Sequence, residues 1–224
     1  MSSAAIIPAA GSGKRLGGGI PKAFRSLGGR SMLLRAVTEL SGVVQLIVVA
    51  VPLDLLDRAV EDLAAVADSC VVQVVAGAAT RQRSVAAALV TLPPNVDIVL
   101  VHDAARPLMP ASVARDVLAA VRAGAGAVMP VLPVADTIKS VDAAGLVTGT
   151  VDRVPLVCAQ TPQGFRRDVL ERAHRGATGI LTDDAGLVEG LGVAVQTVPG
   201  SAAGFKITTP YDVVLAEALL AGRQ

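Results

Sequence analysis

Two stretches of this chain carry residue types that could do chemistry. The first runs from Ala4 to Lys22 and reads Ala-Ala-Ile-Ile-Pro-Ala-Ala-Gly-Ser-Gly-Lys-Arg-Leu-Gly-Gly-Gly-Ile-Pro-Lys. It starts apolar and ends glycine-rich and basic. Ala4 to Ile7 suits a short buried strand, which Pro8 to Gly13 cannot continue, because proline lacks an amide hydrogen and glycine favours positive φ. Gly11 and Gly13 let the backbone come close to a ligand with its amide hydrogens pointing inward, and Lys14, Arg15 and Lys22 surround them with positive charge. The chemistry such a loop suits is the holding of phosphates. The second stretch, Val101-His102-Asp103-Ala104-Ala105-Arg106-Pro107, follows an apolar run, so Asp103 and Arg106 stand at a strand end. A carboxylate there is a natural Mg²⁺ ligand. His102 has no His or Cys partner nearby and reads as structural.

Two better-known glycine loops do not fit. A P-loop needs glycine five residues before its Gly-Lys pair and Ser or Thr after it, and Gly13-Lys14 has Pro8 and Arg15 there. A dinucleotide fingerprint needs a third glycine where this chain has Leu16, and an acidic residue where the next strand ends in Ala50-Val51-Pro52.

Composition narrows the classes. The 224 residues suffice for one large α/β domain, and no linker or repeat divides the chain, so residues 1–224 are read as a single domain. Apolar residues make up 52% and aromatic residues only 2%, so the core must be built from Val, Leu, Ile and Ala, and a ligand base finds few rings to stack on. A net charge of +1 argues against a general nucleic-acid or membrane-surface binder. Of the four lysines, Lys14, Lys22 and Lys206 fall in basic or glycine-flanked loops, which points to places where an ammonium matters. Cys70 and Cys158 are too few for a disulfide framework or a zinc site and read as small hydrophobes in apolar runs. With no signal segment or membrane span in evidence, the expected setting is the cytoplasm.

The elements that must position these residues follow from periodicity. Strands are expected at Ala4 to Ile7, Leu46 to Val51, Val71 to Val75, Ile98 to His102, Ala127 to Val131 and Val193 to Val198. Helical spacing relates Leu56, Val60, Leu63 and Ala67, and again Val113, Val117 and Val121; Ser31 is placed to cap a helix carrying Leu33, Val37 and Leu40. Apolar strands alternating with helices predict a mostly parallel sheet covered on both faces, with ligands bound beyond the carboxyl ends of its strands. Ala135 to Val151 breaks the rhythm with two alternating runs around Asp-Ala-Ala-Gly, the pattern of a hairpin. A projecting two-stranded hairpin is marginal alone and calls for something to pack on, a second subunit being the obvious choice.

The order of motifs resembles the 2-C-methyl-D-erythritol 4-phosphate cytidylyltransferase family. The residues that carry the likeness are Ala-Ala-Gly-Ser-Gly-Lys-Arg with Pro21-Lys22, Ser84-Val85, His-Asp-Ala-Ala-Arg-Pro, Asp136-Thr137, Thr150-Val151-Asp152-Arg153, Gln160-Thr161-Pro162-Gln163 and Lys206-Ile207-Thr208. The resemblance implies a Rossmann-like three-layer α/β/α nucleotidyltransferase fold. It also implies transfer of CMP from CTP to the polyol phosphate with Mg²⁺, in the non-mevalonate route to isoprenoids, by a homodimer joined through an arm at about residues 135–155. Carried over residue by residue, it assigns Ala10, Gly11, Gly13, Arg15 and Lys22 to the triphosphate, and Gly77 and Ser84 to the cytidine. Asp103, as metal ligand, and Arg106 line the centre. Thr137 and Arg153 from the partner's arm, with Thr161 and Lys206, contact the acceptor phosphate. Arg15, Lys22, Asp103 and Lys206 are the catalytic set.

Ala23, Gly77-Ala78 and Gly204 depart from the family pattern. Gly204 stands where related nucleotidyltransferases carry a second metal carboxylate, which leaves Asp103 as the one expected protein ligand to Mg²⁺. The competing readings are a cytidylyltransferase for another polyol phosphate, such as ribitol 5-phosphate, and a regulatory subunit that binds nucleotide without turnover. The latter predicts loss of Lys22, Asp103 or Lys206, and all three are present.

Overall fold

The computed structural model describes residues 1–11, 13, 19–179 and 181–222. Strand β1 (Ser2–Pro8) is buried along its middle and leads into the glycine loop. A short ribbon, β2 (Ser26–Leu27) with β3 (Arg30–Ser31), precedes helix α1 (Met32–Ser41). Ser31 caps that helix as expected, its Oγ accepting from the Leu34 amide at 2.9 Å. Strands and helices then alternate: β4 (Leu46–Val51), α2 (Leu56–Leu63), β5 (Val71–Ala76), α3 (Arg81–Leu89), β6 (Val96–Val101), α4 (Ala111–Arg122) and β7 (Ala127–Pro133). A hairpin of β8 (Ile138–Val141) and β9 (Val147–Val151) follows, then β10 (Val157–Ala159) and β11 (Gln163–Arg166). Helices α5 (Arg167–Gly176) and α6 (Asp184–Glu189), strand β12 (Val195–Pro199) and helix α7 (Pro210–Ala221) complete the chain.

The main sheet runs in the order β10-β7-β11-β6-β1-β4-β5, with β12 on the free side of β7. Its centre, β6-β1-β4-β5, is parallel, as the alternation of strands and helices requires. The chain lays β4 and β5 on one side of β1 and then returns to place β6 on the other, so the strand order reverses between β1 and β6. Such a switch point opens a crevice at the carboxyl ends of the two strands. Each central strand divides its side chains between two cores. Ala5, Ile7, Ile47, Val49, Ile98 and Leu100 pack under α1, α2 and α4. Ala4, Ile6, Val48, Ala50, Val99 and Val101 pack under α3, α5 and α6.

The structure departs from the expectation in several places. Strands β10 and β11 show no alternation and were not expected; β11 inserts antiparallel between β6 and β7. Gly164 allows this, because a Cβ there would stand 2.5 Å from the Val117 side chain of α4. In α2 the buried side chains are Ala59 and Leu63, and Val60 faces solvent. Cys70 is buried as expected, whereas Cys158 is exposed, because all of β10 pairs only with the far end of β7. Among the described residues no helix is long and apolar enough to cross a membrane.

The hairpin expected within Ala135 to Val151 is present. Its turn is held by Asp142 Oδ1, which accepts from the amides of Ala144 (3.0 Å) and Leu146 (2.9 Å). Val141, Leu146 and Val147 are each at least 60% exposed on it, so the arm offers apolar surface that this chain does not cover.

Phe165 is fully buried in the second core, on the inserted strand. Phe165→Ala is expected to lower stability by about 3–5 kcal/mol, seen as an earlier urea midpoint with little change in slope.

Candidate active site

A pocket of about 410 Å³ opens at the β1/β6 switch point, within the ordinary size of small-molecule sites. Its first wall is the end of β1 with the glycine loop. The Ala9 amide donates to the Ala50 carbonyl at 2.7 Å, which carries the strand direction up to the rim where Ala10, Gly11 and Gly13 lie. Gly13 has φ of +62°, and a Cβ on it would run into the Cβ of Lys22. No other residue type combines that backbone with so close a neighbour. Lys22 opens a short 3₁₀ turn whose other residues, Ala23 and Phe24, are buried, so its backbone is anchored where it meets the loop.

The second wall is the turn from β5 into α3. The Gly77 amide donates to Val51 at 2.7 Å, and a Cβ on Gly77 would approach that of Ala10 to 2.5 Å, so the two walls can meet only with glycine there. The Ser84 hydroxyl accepts from the Ala78 amide at 2.9 Å and lies 3.0 Å from the Thr80 carbonyl. Ser84 thus shapes the loop that carries Ala78, Ala79 and Thr80 along the pocket.

The third wall carries the charge. Asp103 follows β6, its amide donating to Thr161 Oγ1 at 3.0 Å; Thr161 Oγ1 lies in turn 3.0 Å from His102 Nδ1. Asp103 Oδ1 accepts from Arg81 Nε at 2.9 Å, and Oδ2 meets Lys206 Nζ at 2.7 Å. Burial pushes the Asp103 carboxyl up, but the two cations outweigh it and hold the group well below the usual carboxylate range. Lys206 is brought to Asp103 by backbone: the Ile207 amide donates to the Ala105 carbonyl at 2.8 Å. Downstream, Asp212 accepts from the Thr208 and Thr209 amides, both at 2.7 Å, which fixes the segment entering α7.

Of the residues singled out from the sequence, Ala10, Gly11, Gly13, Lys22, Ser84, Asp103 and Lys206 line this one pocket. Gly77 lies behind its wall, and Arg15 lies outside the described residues. Arg106 turns away, its guanidinium donating to the carbonyls of Gly204 (2.8 Å) and Ala159 (3.2 Å). Thr161 is buried beneath Asp103. Thr137 and Arg153 are exposed at the arm, where Arg153 donates to the Ala135 carbonyl, and neither lines the pocket of its own chain. At Gly204, a Cβ would collide with the Met109 thioether, which accounts for the absence of a side chain there. Among the described residues, no three His, Cys, Asp or Glu side chains cluster to hold a metal, so Asp103 is the carboxylate available for one.

The family model for 2-C-methyl-D-erythritol 4-phosphate cytidylyltransferase matches residues 3–222. The chain belongs to that family. A relative so named from Saccharopolyspora erythraea is 53% identical over 99% of this chain and 100% of its own length. One from Frankia casuarinae is 54% identical, covering 97% of this chain and 81% of its own. The crystal structure of the cytidylyltransferase from Thermus thermophilus aligns with a TM-score of 0.81 and 37% identity, over 99% of this chain and 100% of that one. The corresponding synthase from Anaerococcus prevotii reaches 0.86 at 28% identity, covering 98% and 96%.

Sequence reasoning missed Arg81, which lines the pocket and pairs with Asp103, although it stands in the same Arg-x-x-Ser run as Ser84. It also missed Asp184 and His174 behind Arg81. Asp183 caps α6, its side chain accepting from the Gly186 amide, and nothing in the sequence says that Asp184 beside it points inward.

His102 was read as structural, and it is buried, with burial the largest cause of a drop in its pKa from 6.5 to about 4. Unfolded His102 takes up a proton below about pH 6.5 while the native ring refuses it until near 4. Stability is therefore full above 6.5 and falls as pH drops toward 4, by on the order of 2 kcal/mol between pH 7 and pH 5. Urea unfolding at the two pH values checks this, and His102→Gln should flatten the slope. Asp103 and Asp184, both depressed, lose their stabilisation only at more acid pH.

Proposed function

We propose that this chain transfers CMP from CTP to 2-C-methyl-D-erythritol 4-phosphate with release of pyrophosphate, as a Mg²⁺-dependent homodimer of the cytoplasm that supplies isoprenoid precursor synthesis. The observation that carries the reading is one pocket in which a glycine loop, Lys22, Asp103 and Lys206 converge, in a chain whose relatives bear that enzyme's name over its whole length. The acceptor's phosphate oxygen attacks the α-phosphorus of CTP. A new P–O bond forms as the bond to the β-phosphate oxygen breaks, and the electron pair leaves with pyrophosphate. A phosphate monoester is already a nucleophile, so no general base is needed. What the site must do is bring two anions together and stabilise charge that spreads onto the α-oxygens and the leaving group.

In this reading the amides at Ala10, Gly11 and Gly13, with Arg15 and Lys22, hold the triphosphate. The turn from Gly77 to Ser84 takes the cytidine. Lys206 orients the acceptor phosphate, as do Thr137 and Arg153 from the partner's arm; Thr161 acts from beneath by holding the Asp103 amide, and Arg106 supports the loop between them. The residues present fit a Mg²⁺ that arrives with the nucleotide. Asp103 Oδ1 faces Arg81, itself pinned by a second carboxylate, whereas Oδ2 faces Lys206, whose side chain is 42% exposed and held by Asp103. Oδ2 is the oxygen that can be released, and phosphates and water would complete the shell. Such an ion would neutralise phosphate charge and draw the α-phosphorus into line.

Turnover with CTP, offering methylerythritol phosphate and ribitol 5-phosphate separately, tests the reading; only the first should react efficiently. Lys22→Ala should lower turnover by on the order of a hundredfold in a folded protein. CTP should be strongly preferred over UTP, because a base read by backbone groups leaves a buried polar atom unpaired on exchange of the 4-amino group. Mixing Arg153→Ala chains with Lys22→Ala chains tests the shared site: a mixed dimer has one site carrying both lesions and one carrying neither, so activity should return. Verified heterodimers without recovery refute the borrowing of Arg153.

A further inference from the structure

Behind the pocket wall a line of charged side chains runs inward from Asp103. Asp184 opens α6 but does not cap it, since Asp183 does; its side chain is only 1% exposed. One oxygen, Oδ2, meets Arg81 Nη1 at 2.6 Å, and the other, Oδ1, lies 2.9 Å from His174 Nε2. His174 sits in the last turn of α5, its side chain 5% exposed, and does not line the active-site pocket. A carboxylate only accepts, so His174 Nε2 carries the hydrogen. Burial pushes the Asp184 carboxyl up, and the His174 hydrogen bond together with Arg81 brings it below its ordinary value, so it is a charged group satisfied on both oxygens.

Arg81 therefore stands between two carboxylates, with Nε on Asp103 and Nη1 on Asp184. Among the described residues its buried Nη2 has no hydrogen-bond partner, so the two ion pairs are what fix the guanidinium. Lys206, the other cation that meets Asp103, has a half-exposed side chain and, among the described residues, that one carboxylate partner. The two cations are unequal: one is fixed by a second carboxylate behind it, the other is held, among the described carboxylates, by Asp103.

We propose that His174 and Asp184 are positioning residues for the cytidylyl transfer. They lock Arg81 as the permanent counter-charge of Asp103, which sets the direction of that carboxylate and leaves Lys206 as the partner that exchanges when anionic substrates enter. The proposal rests on Asp103 belonging to the reacting centre.

The test is steady-state kinetics on His174→Leu, His174→Gln, Asp184→Asn and Asp103→Asn, together with His174→Leu in an Arg81→Lys background. His174→Leu should remain folded and lose about tenfold in kcat, with the KM for CTP changed by about twofold or less. His174→Gln, which returns an N–H toward Asp184, should recover most of the loss. Asp184→Asn, isosteric and uncharged, should lose at least as much, and it serves as the reading if His174→Leu does not fold. With Arg81→Lys already present, His174→Leu should cost little more, because its effect travels through Arg81. An inactive Asp103→Asn beside a fully active Asp184→Asn overturns the proposal alone, as does a His174→Leu loss undiminished in the Arg81→Lys background. An active Asp103→Asn overturns the reading of the site and the proposal with it.

Discussion

A carboxylate taken out of water at the end of a central strand has to be answered by positive charge, and Asp103 is answered from two directions. Arg81 reaches it from the first turn of α3, Lys206 from the segment before α7. Removing one partner from a buried pair leaves a charge uncompensated at a cost of several kcal/mol, so the placement of these two elements is tied to one side chain. The same group lines the pocket that the glycine loop lines from the other strand, so the electrostatic cluster that stabilises the fold also forms a wall of the candidate site.

That cluster lies where it does because of sheet topology. Strand β1 has parallel neighbours on both sides, and the reversal of strand order leaves the ends of β1 and β6 uncovered by a crossover helix. The glycine loop leaves one strand and Asp103 the other. Two close contacts then shape the opening: Gly77 against Ala10 sets the distance between two walls, and Gly13 against Lys22 closes the glycine loop within one of them. A larger residue at Gly77 would push the walls apart and one at Gly13 would open the loop, which explains the glycines without reference to any ligand.

The parts of the site legible in the sequence were those whose meaning is local. The glycine loop, Lys22 after its proline, and Asp103 after an apolar strand each declare themselves within about a dozen residues, and periodicity gave the strands that place them. Arg81, Asp184 and His174 were not legible, because the contact from Arg81 to Asp184 spans 103 positions and the burial that makes it matter is a property of the fold. Strands β10 and β11 escaped for a related reason. Gln163-Gly164-Phe165-Arg166 carries no pattern of its own and becomes a strand because β6 and β7 leave a gap that it fills. Ser84 was given to the base on its family position, yet its hydroxyl is engaged by its own loop, so in this structure its influence runs through the shape of Ala78 to Thr80.

Arg106 shows how a charged residue in a motif can act without offering its charge to a ligand. Its guanidinium joins the carbonyl of Gly204, two residues before Lys206, to the carbonyl of Ala159, at the root of the arm. Gln160 makes the parallel link, its side-chain amide donating to Ser201 at 2.9 Å and accepting from the Ser201 amide at 3.0 Å. The segment that delivers Lys206 and the strand that launches the arm are therefore fastened together at two points, through bonds to backbone that a change of side chain elsewhere cannot replace. Burial lowers the pKa of Arg106, with Asp103 opposing that shift and Arg81 adding to it, yet it stays a cation far above neutral pH, and its field still falls on the pocket while its hydrogen bonds hold the scaffold. Arg106 and Gln160 thus tie the strand at the root of the arm to the segment that carries Lys206.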